Sequence, residues 1–473
     1  MKIDSKHAIS RRAFLAASGG LALTALMPAW PASADNARRY TIKAAPGRVP
    51  LVGTGHPKTA VWAYNGAVPG PEIRVQQGER LRVAIENGLD EETTVHWHGM
   101  RVPNPMDGVP HLTQKPIAPG ETFIYEFDCP DAGTYWYHPH QRSFEQVGRG
   151  LYGPLIVEER EPVAVDRDII WMLGDWRIRK DAQIVDDFGN RMEMSMAGRI
   201  GNTVTINGRL PTPLNVRTGE RVRLRLFNAA NARIFALVFR NHRPFIIAMD
   251  GQPVEPHVPP NGRVLLGPAM RLDLMLDMVG EPGARYAIRD SFYATNAYSL
   301  SEIVYSDEPP LRREQDRTSP VSLPANTMPE PSLDRAERHE VAFQGGMMGG
   351  GMMRGQRSDT HGMMGGIWSI NGVSATGHVM DPLITLRRGE SYVLALRNDT
   401  AWAHPIHLHG HSFRVIARNG TPTRFREWQD TVFMAPREKV EIAFVADNPG
   451  DWMIHCHILE HQAAGMMGVI QVV

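Results

Sequence analysis

The same punctuation recurs three times in this chain, and it fixes the kind of unit the chain is built from. Asn65-Gly66, Asn207-Gly208 and Asn371-Gly372 each precede an alternating pattern. Gly78-Glu79, Gly219-Glu220 and Gly389-Glu390 then open second alternations, from Arg80 to Ile85, Arg221 to Leu226 and Ser391 to Leu396. Each ends at an asparagine: Asn87, Asn228 or Asn398. Turn residues bounding short runs of Val, Ile and Leu with period two indicate strands, and regular spacing of such runs indicates β-sandwiches. Long helical periodicity is nowhere evident. The expected fold is all-β, three sandwich or barrel domains in tandem.

The repeat also locates the chemistry. Nine and eleven residues past Asn87 lie His96 and His98, and the same offsets from Asn398 reach His407 and His409. From Asn228 they reach Leu237 and Phe239. Five and seven residues after Gly133 are His138 and His140; after Gly450 they are His455 and His457. With Gly283 as the middle counterpart, the fifth residue on is Ile288. The first and third copies carry histidine where the middle copy is apolar, so the middle domain is expected to be a metal-free spacer. Residues i and i+2 of a strand share a face, and each pair therefore aims two imidazoles at one point. Nineteen histidines would give fewer than about one His-x-His pair by chance, whereas the chain has five, at 96/98, 138/140, 407/409, 409/411 and 455/457. A single such pair also serves zinc sites and surface strands. Four pairs in matched registers supply enough nitrogens for a cluster of three metal ions.

Within the last pair sits Cys456. On an extended strand its side chain looks away from His455 and His457. A thiolate with histidines and a distant methionine makes the trigonal site that holds electron-transfer copper, and His461 and Met466 follow at short range. The triplet is then a covalent path from one metal site to another. The other cysteine, Cys129, reads as a small buried hydrophobe, because a disulfide would consume the thiolate of the motif.

His96-Trp97-His98-Gly99, His138-Pro139-His140, His404-Pro405-Ile406-His407-Leu408-His409 and His455-Cys456-His457…His461…Met466 resemble, in order and spacing, the four copper motifs of the multicopper oxidases. The resemblance covers the mature chain and implies three cupredoxin domains and four copper ions. It implies type 1 copper at His404, Cys456 and His461 with Met466 axial, and type 2 copper at His96 and His407. The paired type 3 coppers would take His98, His138, His140, His409, His455 and His457. His411 lies outside that set and reads as structural or as a support behind a ligand. Asp107, in Met106-Asp107-Gly108, stands where the family places an acid near the cluster, and a proton-relay role is expected there; as a bare sequence feature it is a turn aspartate. Asp430 reads equally as a supporting contact or a strand end.

The electron donor is approached through Gly345 to Gly366, which carries Met347, Met348, Met352, Met353, Met363 and Met364 with His361. Thioethers are soft ligands that select Cu(I), so this stretch is a candidate substrate-copper site; the plainer reading is a low-complexity linker. Met192, Met194 and Met196 alternate as well, and an ordinary strand or hairpin is expected there. Two departures from the copper-efflux branch stand out: Gln462 replaces an acid after the second type 1 histidine, and Thr400 and Trp402 replace an acid and a methionine before His-Pro. The resemblance implies an enzyme that couples one-electron oxidation of Cu(I) and phenolic donors to reduction of O2 to water, in copper tolerance. The alternatives are a laccase-like phenol oxidase, a non-enzymatic cupredoxin-like envelope protein and a copper carrier.

The N-terminus reads as an address. Ser10-Arg11-Arg12-Ala13-Phe14-Leu15 is a twin-arginine pattern, an apolar stretch runs to Leu26, and Ala32-Ser33-Ala34 offers a cleavage site. Export by the twin-arginine machinery to the periplasm is expected, with residues 1–34 removed. The apolar stretch is too short for a comfortable membrane span, and nothing after it is long enough, so stable membrane insertion is not expected. The remainder divides as 35–162 (first cupredoxin domain), 163–310 (second, without copper ligands), 311–366 (linker with the Met/Gly-rich loop) and 367–473 (third). With 51 basic against 51 acidic residues, no net field argues for nucleic acid. A monomer is expected.

Overall fold

The computed structural model describes residues 37–312, 319–347, 366–375 and 381–473. Strands dominate, arranged in six sheets that pair into three sandwiches. In the first, a four-stranded sheet that includes Arg38–Val49 and Arg80–Asn87 faces another that includes His96–His98 and Gly133–His138. The second pairs a six-stranded with a five-stranded sheet, and the third a seven-stranded with a five-stranded sheet. Each sandwich encloses its own apolar core, centred on residues such as Leu81 and Tyr125, Leu224 and Leu274, and Leu394 and Ile442.

The repeated asparagines explain why one unit is used three times. Asn65, Asn207 and Asn371 adopt left-handed φ angles of 51°, 51° and 52°, which asparagine tolerates better than most residues. Their side-chain oxygens accept the N–H of Lys43, Met172 and Ala342 at 2.7–2.8 Å, tying each turn to the last strand but one before it. The strands that follow the Gly-Glu turns run to Asn87, Asn228 and Asn398, the asparagines at which the sequence pattern ends. These three buried asparagines close the next loop identically. Each Nδ2 donates to two carbonyls, those of Glu91 and Ile117, Arg233 and Leu266, or Trp402 and Ala435. Each Oδ1 accepts the N–H two residues on, at 3.0 Å.

Strand pairing then sets the histidines opposite one another. His96 lies across from His138, and His407 across from His455. In the middle domain Leu237 lies across from Asp290, not Ile288. The count from Gly283 runs two residues short because Gly283, at φ 75°, belongs to a turn, and the strand starts at Arg285. In the other copies the glycine itself opens the strand, Gly133–His138 or Gly450–Cys456. The middle position is therefore polar: buried Asp290 accepts the N–H of Ala236 and of Phe292.

Met192, Met194 and Met196 do not form a strand. Arg191–Ser195 is a short helix, because the Asn190 side chain accepts the N–H of Met192 and Glu193 as an N-cap.

Candidate metal centre

Eight imidazoles from the first and third sandwiches converge on one buried space: those of His96, His98, His138, His140, His407, His409, His455 and His457. Most have one ring nitrogen tied outward by the protein. His96 Nδ1 donates to the Asp107 carbonyl at 2.8 Å, and His409 Nδ1 donates to Asp107 Oδ2 at 2.9 Å. His138 Nδ1 donates to the Pro139 carbonyl, His455 Nδ1 to that of Cys456 and His407 Nδ1 to that of Asp430. His98 is turned the other way, its Nε2 donating to Asp430 Oδ1 and lying 3.1 Å from Thr431 Oγ1.

These outward bonds fix what points inward. Burial drives the pKa of His98, His138, His140, His409, His455 and His457 well below the ordinary histidine value, and the neighbouring imidazoles add to it. His407 is lowered too, against the pull of Asp430. A neutral imidazole carries one proton, so a ring donating on one side presents a bare lone pair on the other. His409 Nε2 and His455 Nε2 thus face each other at 3.1 Å as two acceptors. His98 Nδ1 and His138 Nε2 do so at 3.4 Å, and His457 Nε2 is 3.4 Å from His138 Nε2. The Nε2 atoms of His96, His140 and His407 are buried without a hydrogen-bond partner. Buried acceptors facing acceptors are costly unless a cation lies among them.

A second cluster lies on the opposite face of the same strand. His404 Nδ1 is 3.4 Å from Cys456 Sγ, His461 Nδ1 is 3.7 Å from it, and the two imidazole nitrogens are 3.2 Å apart. Their outer nitrogens donate elsewhere, His404 Nε2 to Thr400 Oγ1 at 2.8 Å and His461 Nε2 to the Met196 carbonyl at 2.7 Å. The same facing of lone pairs results. Burial lowers the His461 pKa to about 3 and pushes the Cys456 thiol well up, so a thiolate here requires a bound cation. Met466 is fully buried; its carbonyl accepts the Cys456 N–H and its own N–H donates to the His461 carbonyl. Neutral imidazoles with a thiolate suit copper, and both clusters fit it. His455 Nδ1 donates to the Cys456 carbonyl at 2.9 Å, a hydrogen-bonded shortcut between the clusters beside the covalent one.

The remaining sequence candidates fall as follows. Asp107 is buried between His96 and His409, and Gly108 beside it has φ 85° and no room for a side chain, a Cβ lying 1.9 Å from the Val95 carbonyl oxygen. Asp430 is buried against His98 and His407. Burial opposes its charge, yet the Arg271 guanidinium, 2.5 Å away, holds its carboxyl well below the usual range. Burial and the Asp430 charge push neighbouring Asp250 up to about 7. Gln462 places its amide 3.3 Å from His140 Nδ1, and both line a cavity of ≈ 240 Å³ with Ser143 and Met453. His411 is buried outside the cage, bonded to the His409 carbonyl, with its pKa lowered by burial to about 4. Cys129 and Cys456 are both buried and free. Met347 lies beside the 191–196 segment, while Met348, Met352, Met353, Met363, Met364 and His361 are outside the described residues, as is the N-terminal segment. Arg271 and Asp250 were not among the sequence candidates.

A buried thiol facing two imidazoles, one residue from a histidine cage shared by two cupredoxin sandwiches, defines a copper redox protein. The chain belongs to the multicopper oxidases: family models described as multicopper oxidase match residues 48–162, 167–305 and 352–473. It is 32% identical to the multicopper oxidase MmcO of Mycobacterium tuberculosis over 95% of this chain and 90% of that one. It is 28% identical to the copper resistance protein A of Pseudomonas syringae, over 98% of this chain and 99% of that one. A multi-copper oxidase structure from Pseudomonas thermotolerans superposes with a TM-score of 0.81 at 36% identity, covering 92% of this chain and 99% of that one. The protein is accordingly a copper-dependent oxidoreductase that uses O2 as electron acceptor.

Proposed function

We propose that this oxidase takes electrons from Cu(I), and from phenols as secondary donors, and works as an exported periplasmic monomer in copper tolerance. The observation that carries the reading is the covering of His461. Its outer nitrogen donates to the carbonyl of Met196, and Met347 N–H donates to the Ser195 carbonyl at 2.9 Å. Two methionine-bearing segments, residues 191–196 and the start of the Met/Gly-rich loop, therefore meet at the outer edge of a type 1 histidine. Thioethers there favour a soft monovalent metal over a hard cation. The relative named as a copper resistance protein and the twin-arginine pattern support the setting.

His404, Cys456, His461 and Met466 would hold type 1 copper, His96 and His407 type 2, and the other six histidines the type 3 pair. Bound copper supplies one-electron exchange at the thiolate and four-electron reduction of dioxygen at the cage. The protein's part is positional and protic. Outward hydrogen bonds lock most of the imidazoles with a lone pair inward before metal arrives, which lowers the reorganisation needed. Cys456 and His455, adjacent on one strand, join donor side to acceptor side. Asp107, touching rings on both sides of the cage, is placed to hold and deliver a proton. Gln462 beside His140 cannot act as an acid, so proton delivery rests more heavily on Asp107. The cavity beside His140 gives small molecules a route to the cage.

A second reading, a laccase-like phenol oxidase, is favoured by Thr400: the outer nitrogen of His404 meets a neutral hydroxyl, not a carboxylate that would hold a cation. Oxygen uptake with Cu(I) and with a phenol, on protein with Met192, Met194, Met196 and Met347 replaced by leucine, separates the two. The first reading expects selective loss of cuprous turnover. Unchanged cuprous turnover overturns it.

A further inference from the structure

The middle domain carries none of the imidazoles of the cage, yet two of its side chains reach it. Arg271 and Asp250 are both fully buried. Arg271 forks onto Asp430, Nη1 to Oδ1 at 2.8 Å and Nη2 to Oδ2 at 2.5 Å. Asp250 holds the other end of the same corner: its Oδ1 accepts the Arg271 N–H at 3.0 Å, and its Oδ2 accepts the Thr431 and Asp430 N–H groups at 3.0 and 3.3 Å. Asp430 in turn takes His98 Nε2 on its carboxylate and His407 Nδ1 on its carbonyl. The Arg271 guanidinium also donates to the Ala269 carbonyl and, through Nε, to the Thr134 carbonyl, on the strand that ends at His138.

An independent feature points to the same contact. Gly99, the glycine of His96-Trp97-His98-Gly99, has φ 84°, and a Cβ there would lie 2.3 Å from Arg271 Nη2 and 2.4 Å from Asp430 Oδ2. The fork packs directly onto the backbone of the first histidine motif, where only glycine leaves room.

We propose that Arg271 and Asp250 are positioning residues of the metal cage, which make correct seating of the middle domain a condition for holding copper at His98 and His407. A planar bidentate fork fixes the orientation of a carboxylate, which a point charge does not do. The carboxylate fixes which nitrogen of His98 carries the proton, and so which one faces inward. Two domains supply ligands; the third sets the angle at which two of those ligands are held.

The test compares Arg271→Gln, Arg271→Lys and Gly99→Ala with Arg223→Gln. Arg223 ties the same middle domain to Glu159 of the first through a separate buried ion pair, away from Asp430. Copper per chain, the paramagnetic type 2 signal and the blue type 1 absorption are measured on copper-loaded full-length protein, alongside thermal unfolding. Arg271→Gln and Gly99→Ala are expected to weaken copper retention at the cage roughly 10–100-fold and to alter or remove the type 2 signal, with the blue absorption kept. Arg271→Lys should recover part of it, and Arg223→Gln should lower thermal stability while leaving the type 2 signal intact. An unchanged type 2 signal in the Arg271 variants overturns the proposal, as does equal loss in Arg223→Gln. If Arg271→Gln does not fold, Arg271→Lys and Gly99→Ala decide by the same readouts.

Discussion

His461 Nε2 donates a hydrogen bond to the carbonyl oxygen of Met196, 2.7 Å away and 265 residues distant in sequence. His461 is thereby covered by the backbone of a segment from the middle domain. The segment opens on the Asn190 cap and is braced by Glu193, which pairs with Arg177 and Arg199. Replacing Asn190 by alanine should cost about 1 kcal/mol and loosen the 191–195 helix. The expected result is a raised KM for Cu(I) with the blue absorption of the resting protein unchanged, read by steady-state oxygen uptake and visible spectra.

Cys456→Ser should abolish both the blue charge-transfer band and turnover while the fold persists. The strand is held there by main-chain bonds, Cys456 N–H to the Met466 carbonyl and His457 N–H to the Pro405 carbonyl, and these do not involve sulfur. Circular dichroism should be unchanged, with a stability loss of about 1–3 kcal/mol from a buried hydroxyl in an apolar site. Retention of donor oxidation would refute the type 1 assignment.

Asp107 has two separable duties. Asp107→Asn keeps an oxygen for the His409 N–H and removes the exchangeable proton, so copper content should hold while oxygen reduction slows about 10²–10⁴-fold. Asp107→Ala removes the acceptor as well, and copper affinity should fall roughly 10–100-fold. Gln462→Glu, which places an acid beside His140, should restore part of the rate lost in Asp107→Asn; single-turnover reoxidation by O2 is the measurement.

Removing copper should lower the melting temperature by several degrees or more, because lone pairs held at 3.1–3.4 Å within the cage, those of His138 and His457 across the interface of the first and third domains, then repel without compensation. Differential scanning calorimetry of chelator-treated and reloaded protein checks this. Equal melting temperatures would mean that the cage carries no strain without metal.

The histidine registers and the triple repeat were legible because both are written locally. Period-two spacing puts His96 and His98 on one face, and an Asn-Gly turn states its own conformation. Asp430 was visible as a residue suited equally to a supporting contact and to a turn or strand end, and Arg271 and Asp250 not at all. The Arg271–Asp430 and Asp250–Asp430 contacts span 159 and 180 residues, and nothing near Arg271 in sequence marks it off from Arg221, Arg223 or Arg225 in the same sheet. The Met192, Met194, Met196 pattern misled because alternation is also compatible with a short helix once a cap precedes it. Asp290 was missed because an equivalent glycine lies outside its strand instead of at its head.

The eight imidazoles come from both ends of the chain, four before residue 141 and four after residue 406. The His138 to His457 contact spans 319 residues. Neither half can present a complete coordination sphere, so a ribosome-bound chain has no finished cage until its last strands have been made and docked. Filling of the cage is thereby ordered after folding of both domains by topology alone. A truncated product, however well its first domain folds, is barred from becoming a partly loaded and oxygen-reactive copper protein.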